Sequence, residues 1–240
     1  MSLIDVKRNV CSEMQEKGYA WISCDEFIIA LELEAERRSF WADWEQLEVD
    51  QYLKGGARFR ERRYGCFHFQ PSSGDISPLP PTPYYQTPEE NAYAGGIQRE
   101  FAPLLESTLE NRFLHELIKF NHRQFPPSSR GTCDKWEIGV HQVRIVTTQD
   151  EEGEPTPEGI HHDGNDFFAV HLISRGKIAG GETTIYDNDQ NPIESRTMLN
   201  VMDSLVVEDA CVMHGVSPIL LNGSSQRGIR DIIIIDYFMR

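Results

Sequence analysis

The chain has 240 residues, 39% of them apolar and 25% charged, which is typical of a soluble globular protein and not of a disordered one. Its formal net charge of −15 argues against a nucleic-acid-binding protein and against attraction to an anionic membrane. No apolar run approaches the roughly 20 residues of a membrane span, and the N-terminus lacks an apolar signal core. The 5 cysteines include no CxxC pair, so we expect a reducing cytoplasm and neither a disulfide framework nor a structural zinc site.

The N-terminal part is predicted to be mainly helical. Apolar residues from Leu3 to Met14 recur at near-helical spacing, and Gly18 is a typical end for such a helix. The other elements predicted before residue 130 are a short strand over 19–23, one or two helices within 25–53, an extended segment over 62–69 and an amphipathic helix within 101–120.

A long proline-rich connection occupies residues 72–96. Loops of this length in compact domains usually either cover a site or are disordered. The aromatic side chains of Tyr84, Tyr85 and Tyr93 favour a packed cover.

From Trp136 onward the chain is rich in β-branched and aromatic residues, interrupted by Gly, Asn, Asp and Pro. Six strands are predicted here, which is typical of a sandwich or a jelly-roll barrel. We find no internal repeat and no linker, so we predict a mainly β (α+β) single domain over 1–240. Its parts are a helical segment 1–57, a strand, cover loop and helices over 58–130, and a jelly-roll core over 131–240.

The segment EGIHHDGNDFFAVHL (158–172) contains a candidate metal site. If residues 160–163 are extended, His161 and Asp163 project to one side and His162 to the other. A His-x-Asp pair supplies one imidazole and one carboxylate to a divalent metal and leaves most of its coordination sphere open. His171 lies inside a predicted strand and is interpreted as a core residue.

The third ligand candidate is His214, on a separate predicted strand. Two imidazoles and one carboxylate form the ligand set of non-haem Fe(II) oxygenases, in which a co-substrate and dioxygen take the free positions. Arg230 begins an almost wholly apolar strand and shares a face with Ile232 and Ile234. A cation facing an apolar interior needs an anion, such as the far carboxylate of a metal-chelating dicarboxylate.

These motifs resemble the iron- and 2-oxoglutarate-dependent dioxygenases through the order of His161-x-Asp163, GGET (180–183), DSLVVEDACVMHGVSPI (203–219) and RDIIIIDYF (230–238). HQVR (141–144), PYYQ (83–86) and GGIQREF (95–101) resemble more narrowly the bacterial branch that includes L-isoleucine 4-hydroxylase. The resemblance covers residues 58–238. It implies a double-stranded β-helix, Fe(II), 2-oxoglutarate, and hydroxylation of free amino acids.

One departure concerns the arginine that would bind the co-substrate. Many relatives carry Arg-x-Ser, whereas Arg230 is followed by Asp231 and Ile232, so Arg227 is an alternative anchor. Gln142 and Arg144 share a strand face with Trp136, and we expect them to line the pocket, although a solvated strand end would explain them as well.

Several polar residues are candidates for substrate binding. Arg144, or an arginine of the cluster at 58–63, is expected to bind a substrate carboxylate, and Asp166 a substrate ammonium, with Asn165 in contact beside the ligand pair. A solvated strand face is the alternative reading of the arginine cluster.

Two classes of function fit these motifs. The first is a dioxygenase that hydroxylates a small substrate with dioxygen and releases succinate and CO2. The second is a non-catalytic jelly-roll protein that retains the pocket for binding or sensing. The oligomeric state stays open, and a homodimer is one alternative.

Overall fold

The computed structural model describes residues 2–240. The α-helices are α1 (Val10–Lys17), α2 (Glu34–Ala42), α3 (Glu106–Leu109), α4 (Arg112–Gln124) and α5 (Pro127–Arg130). The strands before residue 130 are β1 (Ile4–Val6), β2 (Tyr19–Ile22), β3 (Phe27–Ile29), β4 (Glu48–Val49), β5 (Arg60–Gln70) and β6 (Asp75–Pro78). The later strands are β7 (Trp136–Thr148), β8 (Phe167–Gly176), β9 (Ile178–Gly180), β10 (Glu182–Tyr186), β11 (Pro192–Thr197), β12 (Ser204–Glu208), β13 (Met213–Val216), β14 (Ile219–Leu221) and β15 (Arg227–Met239). The protein is therefore mainly β, with a few helices.

An 8-stranded antiparallel sheet forms the main layer, in the order β2-β12-β8-β15-β7-β5-β4 with β6 paired to β5. Its centre is β15, which pairs with β7 along its whole length and with β8 on its other edge. A smaller sheet, β11-β10-β13, contributes Ile185 to the apolar layer against the inner face of the main sheet. No sheet within residues 2–240 closes into a barrel.

The two faces of the main sheet have different neighbours. Ile233, Ile235 and Tyr237 of β15 belong to the large core that the helices cover. The alternate residues Ile232 and Ile234 belong to, or pack against, the second core on the inner face. Because side chains of a strand alternate between faces, Arg230 also projects to the inner face.

The N-terminal predictions are partly wrong. α1 ends at Gly18, as predicted, but it begins only at Val10, because residues 4–6 pair with 27–29 as a two-stranded sheet. The strand predicted over 19–23 is confirmed as β2, whereas the segment 25–53 contains strands β3 and β4 besides helix α2. No helix of the described chain is both long and apolar enough to cross a bilayer.

The predictions after residue 58 agree better with the structure. The extended segment at 62–69 is confirmed as part of β5, and the amphipathic pattern forms α4 from Arg112. The residues from Phe101 to Leu105 precede the helices and were wrongly included in the pattern. All six predicted C-terminal strands are present, together with the short strands β9, β11 and β14.

Candidate active site

Three side chains predicted as metal ligands meet at one point. The candidate ligand atoms of His161, Asp163 and His214 all lie within 4.8 Å of one another. His161 Nε2 is 3.2 Å from Asp163 Oδ1, and His214 Nε2 is 3.8 Å from Asp163 Oδ2. The backbones of His161 and His214 exchange two N–H···O hydrogen bonds of 3.0 Å, which fix their relative position.

The two imidazoles have different proton affinities. Burial lowers the pKa of His161, but the carboxylates of Asp163 and Glu158 outweigh it and raise the pKa to about 9. Burial and the adjacent His161 lower the pKa of His214 to about 4. His161 is therefore protonated in the metal-free protein, and a metal ion must displace that proton to bind there.

The loop that carries Asp163 is held by an acid that sequence reasoning missed. Asp209 Oδ1 accepts a hydrogen bond of 3.0 Å from the Asp163 N–H, and its Oδ2 accepts one of 2.8 Å from the Gly164 N–H. Gly164 has φ 83°, a left-handed conformation that favours glycine. The His162 ring forms a 2.6 Å hydrogen bond with the Asp209 carbonyl oxygen, away from the three ligands, as strand alternation predicted.

Arg230 lies in an inner cavity that adjoins the metal ligands. Its side chain is 1% exposed, and its Nε has no hydrogen-bond partner within residues 2–240. Burial and the neighbouring Arg175 lower its pKa to about 10. The cavity is also lined by His214 and Thr183, so a molecule in it would lie between Arg230 and the metal ligands.

Other residues predicted for the co-substrate or the substrate lie elsewhere. Arg227 is half-exposed and ion-paired with Glu61 at 2.9 Å. Arg144 donates hydrogen bonds to both carboxylate oxygens of Asp231, at 2.7 and 2.9 Å. Gln142 is fully buried. Neither Gln142 nor Arg144 lines the cavities, because both project to the sheet face opposite Val143, which corrects the expected pocket roles.

The two polar residues after the ligand pair also differ from expectation. Asp166 Oδ2 accepts a 2.7 Å hydrogen bond from the Met239 N–H, and Asp166 lines neither cavity. The predicted contact of Asp166 with a substrate ammonium group is therefore wrong. Asn165 donates a 3.1 Å hydrogen bond to Asp236 Oδ1, and Asp236 lines the outer cavity. Asn165 therefore acts on the site through Asp236.

An outer cavity adjoins the inner one and shares His214, Ile232 and Ile234 with its lining. Its lining includes His161, Asp163 and His214, together with a wall of three arginines, Arg60, Arg62 and Arg99. Its volume of about 100 Å³ is enough to admit a small molecule. Arg60 donates to Asp50 Oδ2 at 2.8 Å.

A chain of hydrogen bonds connects this arginine wall to the metal-ligand loop. Arg62 donates to His141 Nδ1, so His141 is protonated at Nε2 and donates to Asp236 Oδ2 at 2.9 Å. Burial, followed by the charge of Arg62, keeps the pKa of His141 well below its usual value. Sequence reasoning assigned no role to His141, although it immediately precedes Gln142, one of the two strand residues that were selected.

The predicted cover packs over the outer cavity. Gln86 donates a 3.1 Å hydrogen bond to the carbonyl oxygen of Asp163 and accepts one of 2.7 Å from Arg99. Asn91 donates to the same Gln86 Oε1 at 3.0 Å. The cover is thereby attached to the backbone of a metal-ligand residue.

The residues present fit a divalent metal and a dicarboxylate. Two imidazoles and a carboxylate with open sides suit a first-row ion such as Fe(II). Arg230, buried without an acidic partner among the described residues, suits an anion at the far end of the inner cavity.

Known proteins resemble this chain in sequence and in structure. The chain is 25% identical to 3(1)-hydroxy-L-isoleucine 4-dioxygenase of Pantoea ananatis over 236 residues, covering 94% of each chain. It is 25% identical to L-isoleucine-4-hydroxylase of Bacillus thuringiensis, covering 94% of this chain and 92% of that one. The structure of a bsmA homolog from Methylobium petroleophilum PM1 has a TM-score of 0.83 at 26% identity, covering 99% of this chain and 97% of that one.

The family model described as 2OG-Fe dioxygenase matches residues 42–236. This range includes the three candidate metal ligands, both cavities and the cover. Enzymes of this family use Fe(II) and 2-oxoglutarate. The chain is a dioxygenase that belongs to the 2OG-Fe dioxygenase family.

Proposed function

We propose that the protein hydroxylates a free L-amino acid or a close analogue, consuming dioxygen and 2-oxoglutarate and releasing succinate and CO2. The observation that carries this proposal is the position of His214 in the walls of both cavities, between Arg230 on one side and the arginine wall on the other. A co-substrate near Arg230 and a substrate near the arginine wall would therefore both lie next to the same metal, in two adjoining cavities. The names of the two isoleucine-oxidising relatives support an amino acid as substrate.

In this proposal His161, Asp163 and His214 hold Fe(II), and Arg230 binds the distal carboxylate of 2-oxoglutarate. Iron and 2-oxoglutarate, when bound by these residues, would supply the activation of dioxygen that oxidation of an unactivated C–H bond requires. Ile232 and Ile234 exclude water from the space between Arg230 and the ligands. Gln86 holds the cover over the outer cavity, which limits the access of water during the reaction.

The finer architecture follows the same proposal. The small sheet packed on the inner face of the main sheet supports a double-stranded β-helix with the N-terminal and mid-chain helices outside. A single domain over 1–240 stays a prediction, as does a cytoplasmic location, with which the five free cysteines agree. A non-catalytic binding protein is set aside because the chain belongs to a family of dioxygenases.

The proposal is tested with purified protein, Fe(II), 2-oxoglutarate and ascorbate in air. Each free L-amino acid is added separately, succinate is quantified, and the amino acid is analysed by mass spectrometry for a gain of one oxygen atom. We expect succinate formation to be stimulated by at least one amino acid that also gains oxygen. Succinate formation that no amino acid or analogue stimulates would contradict the substrate assignment.

A further inference from the structure

The three arginines that line the outer cavity carry more positive charge than the acidic side chain paired with them neutralises. Arg60, Arg62 and Arg99 are 8%, 7% and 2% exposed, respectively. Asp50 is ion-paired with Arg60 at 2.8 Å and lies 3.8 Å from Arg62 Nη1. Arg99 forms no ion pair with an acidic side chain anywhere in residues 2–240. Asp50 is therefore the one ion-pair partner of these three arginines within residues 2–240, and it reaches only two of them.

Arg99 contacts no carboxylate within ion-pair distance among the described residues, and the ion pair of Arg62 with Asp50 is long, so both guanidinium groups keep charge available for an anion. Arg62 donates to the His141 ring, and Arg99 donates to Gln86 Oε1 at 2.7 Å. The Nε atoms of both arginines are buried without a hydrogen-bond partner in the described chain. Burying an unpaired guanidinium costs free energy that an anionic ligand would recover.

The two guanidinium groups lie beside the same two aromatic rings. The guanidinium carbon of Arg62 is 3.8 Å from the ring centroid of Phe101, and that of Arg99 is 5.7 Å from the same centroid. The ring of Tyr84 lies next to both, at 5.9 Å from Arg62 and 4.9 Å from Arg99. These rings and the hydrogen bonds fix both arginines before any ligand arrives.

An acidic group completes the same cavity. Glu158 lines it and has an 11% exposed side chain, with Oε1 3.4 Å from His161 Nε2. No lysine or arginine of residues 2–240 is ion-paired with Glu158. The cavity therefore presents cations on one wall and a carboxylate beside the metal ligands.

We infer that Arg62 and Arg99 bind the carboxylate of the substrate and that Glu158 accepts a hydrogen bond from its ammonium group. This inference rests on the proposed function and assigns the two ends of the amino acid to residues that neither the family match nor the relatives' names identify. His141 is a positioning residue, because its ring accepts a hydrogen bond from Arg62 and donates one to Asp236.

The test measures binding and not turnover. The protein is loaded with Mn(II) and 2-oxoglutarate, and each of the common L-amino acids is titrated by calorimetry. For every amino acid that binds, the corresponding amide, which lacks the carboxylate, is titrated as well. We expect the amide to bind at least roughly tenfold more weakly, which is the loss of a charge-assisted hydrogen-bonded pair.

The variants Arg62→Gln and Arg99→Gln should each raise the dissociation constant of the amino acid about 10- to 100-fold. The dissociation constant of 2-oxoglutarate should stay unchanged, because Arg230 lies in the inner cavity. Arg58→Gln is the matched control, since Arg58 precedes the same strand and is exposed. If a Gln variant does not fold, Arg62→Lys and Arg99→Lys retain the charge and should give intermediate dissociation constants.

Three results would overturn the inference: no amino acid binds, amides bind as tightly as the acids, or the substituted proteins bind amino acids like the wild type. Failure of the proposed function gives a different result. In that case an amino acid binds through Arg62 and Arg99 but is not oxidised in the iron-loaded enzyme, and the carboxylate site still stands.

Discussion

At the scale of single residues, the candidate metal ligands are distinguished from their neighbours by where their side chains point as well as by residue type. His161 and His162 are adjacent, yet only the ring of His161 lies near Asp163 Oδ1. The His162 ring is bonded to the Asp209 carbonyl oxygen instead. The pair therefore provides an internal comparison between a ligand and a non-ligand of the same type.

Replacing His161, Asp163 or His214 by Ala should abolish succinate formation and metal binding, because each change removes one of three protein ligands. The measurement is calorimetric titration with Mn(II) together with the succinate assay. His162→Ala is the control and should retain metal binding and most of the activity. An inactive His162→Ala alongside an active His161→Ala would show that the ligand assignment is wrong.

Arg230→Ala should raise the KM for 2-oxoglutarate by roughly one to three orders of magnitude, the effect of losing a charge-assisted bidentate pair. Arg227→Ala, which removes a half-exposed ion pair with Glu61, should change this KM less than about twofold. Initial rates of succinate formation at varied 2-oxoglutarate decide between them. The reverse pattern would transfer the anchoring role to Arg227.

The misplacement of Gln142 and Arg144 has a physical reason. The sequence predicted correctly that they share a face with Trp136, but β7 is buried on both faces from Ile138 to Thr147. In a strand that is buried on both faces, polar residues do not mark a solvent-exposed side. The alternation of side chains therefore cannot indicate which face lines the cavity. His161 and Asp163 were easier to predict, because an imidazole and a carboxylate at this spacing suit a divalent metal ion.

At the scale of elements, the cover depends on one tight turn. A Cβ atom on Gly95 would lie 2.2 Å from the carbonyl oxygen of Thr87 and 2.5 Å from that of Asn91. Asn91 in turn is hydrogen-bonded to Gln86, which connects the cover to Asp163. Any residue larger than glycine at this position must therefore move the cover backbone.

Gly95→Ala should lower substrate-stimulated turnover about tenfold, the rate equivalent of roughly one lost hydrogen bond between the cover and the site. The fraction of succinate formed without substrate oxidation should rise, because water enters more freely. Gly176→Ala is the control, since a Cβ there meets nothing within 4 Å. Equal coupling of succinate to product in both variants would contradict this function of the cover.

Helix α4 is joined to the sheet by a buried histidine. His171 is fully buried, and burial lowers its pKa to about 3. Ser204 donates its hydroxyl proton to the Met202 carbonyl oxygen, so it accepts from His171 Nδ1, while Asn121 donates to Nε2. Both ring nitrogens are satisfied only when the imidazole is neutral.

The free energy of unfolding should therefore fall as the pH falls, because the unfolded chain binds a proton near pH 6.5 that the folded protein binds only near pH 3. This contribution is complete above pH 6.5, and about 2 kcal/mol of it is lost by pH 5. Urea unfolding of the metal-free wild type and of His171→Gln, above pH 6.5 and at pH 5, isolates the contribution of His171 to stability. The difference in stability between the two proteins should shrink at pH 5, and a constant difference would contradict the assignment.

The late start of helix α1 also depends on contacts between elements. Ile4–Val6 forms a strand only because Phe27–Ile29 pairs with it, and such a three-residue partnership leaves no periodic signal. The apolar spacing that suggested an earlier helix start reflects the packing of Leu3, Val6 and Val10 in or against the same core. Tertiary contacts override local pattern most easily in short elements.

At the scale of the whole molecule, the protein has a formal net charge of −15, yet several of its arginines are buried in the interior. Saturating Mn(II) at 100 times its dissociation constant should stabilise the protein by about 2.7 kcal/mol, because it binds the folded state alone. For a chain of this size the melting temperature should rise by roughly 5–11 °C. Thermal unfolding with and without chelator checks this, and Asp163→Ala should show no rise.

The pairing of β13 with β10 has a consequence for changes in chain length. His214 lies opposite Ile185 in a four-residue strand and exchanges backbone hydrogen bonds with His161. Inserting one residue into this strand would turn the imidazole to the other face of the sheet, whereas most side-chain replacements beside it would leave the imidazole in place. In this part of the molecule the spacing of the residues matters more than their identity, so a single-codon insertion or deletion is a greater threat to the enzyme than a point mutation.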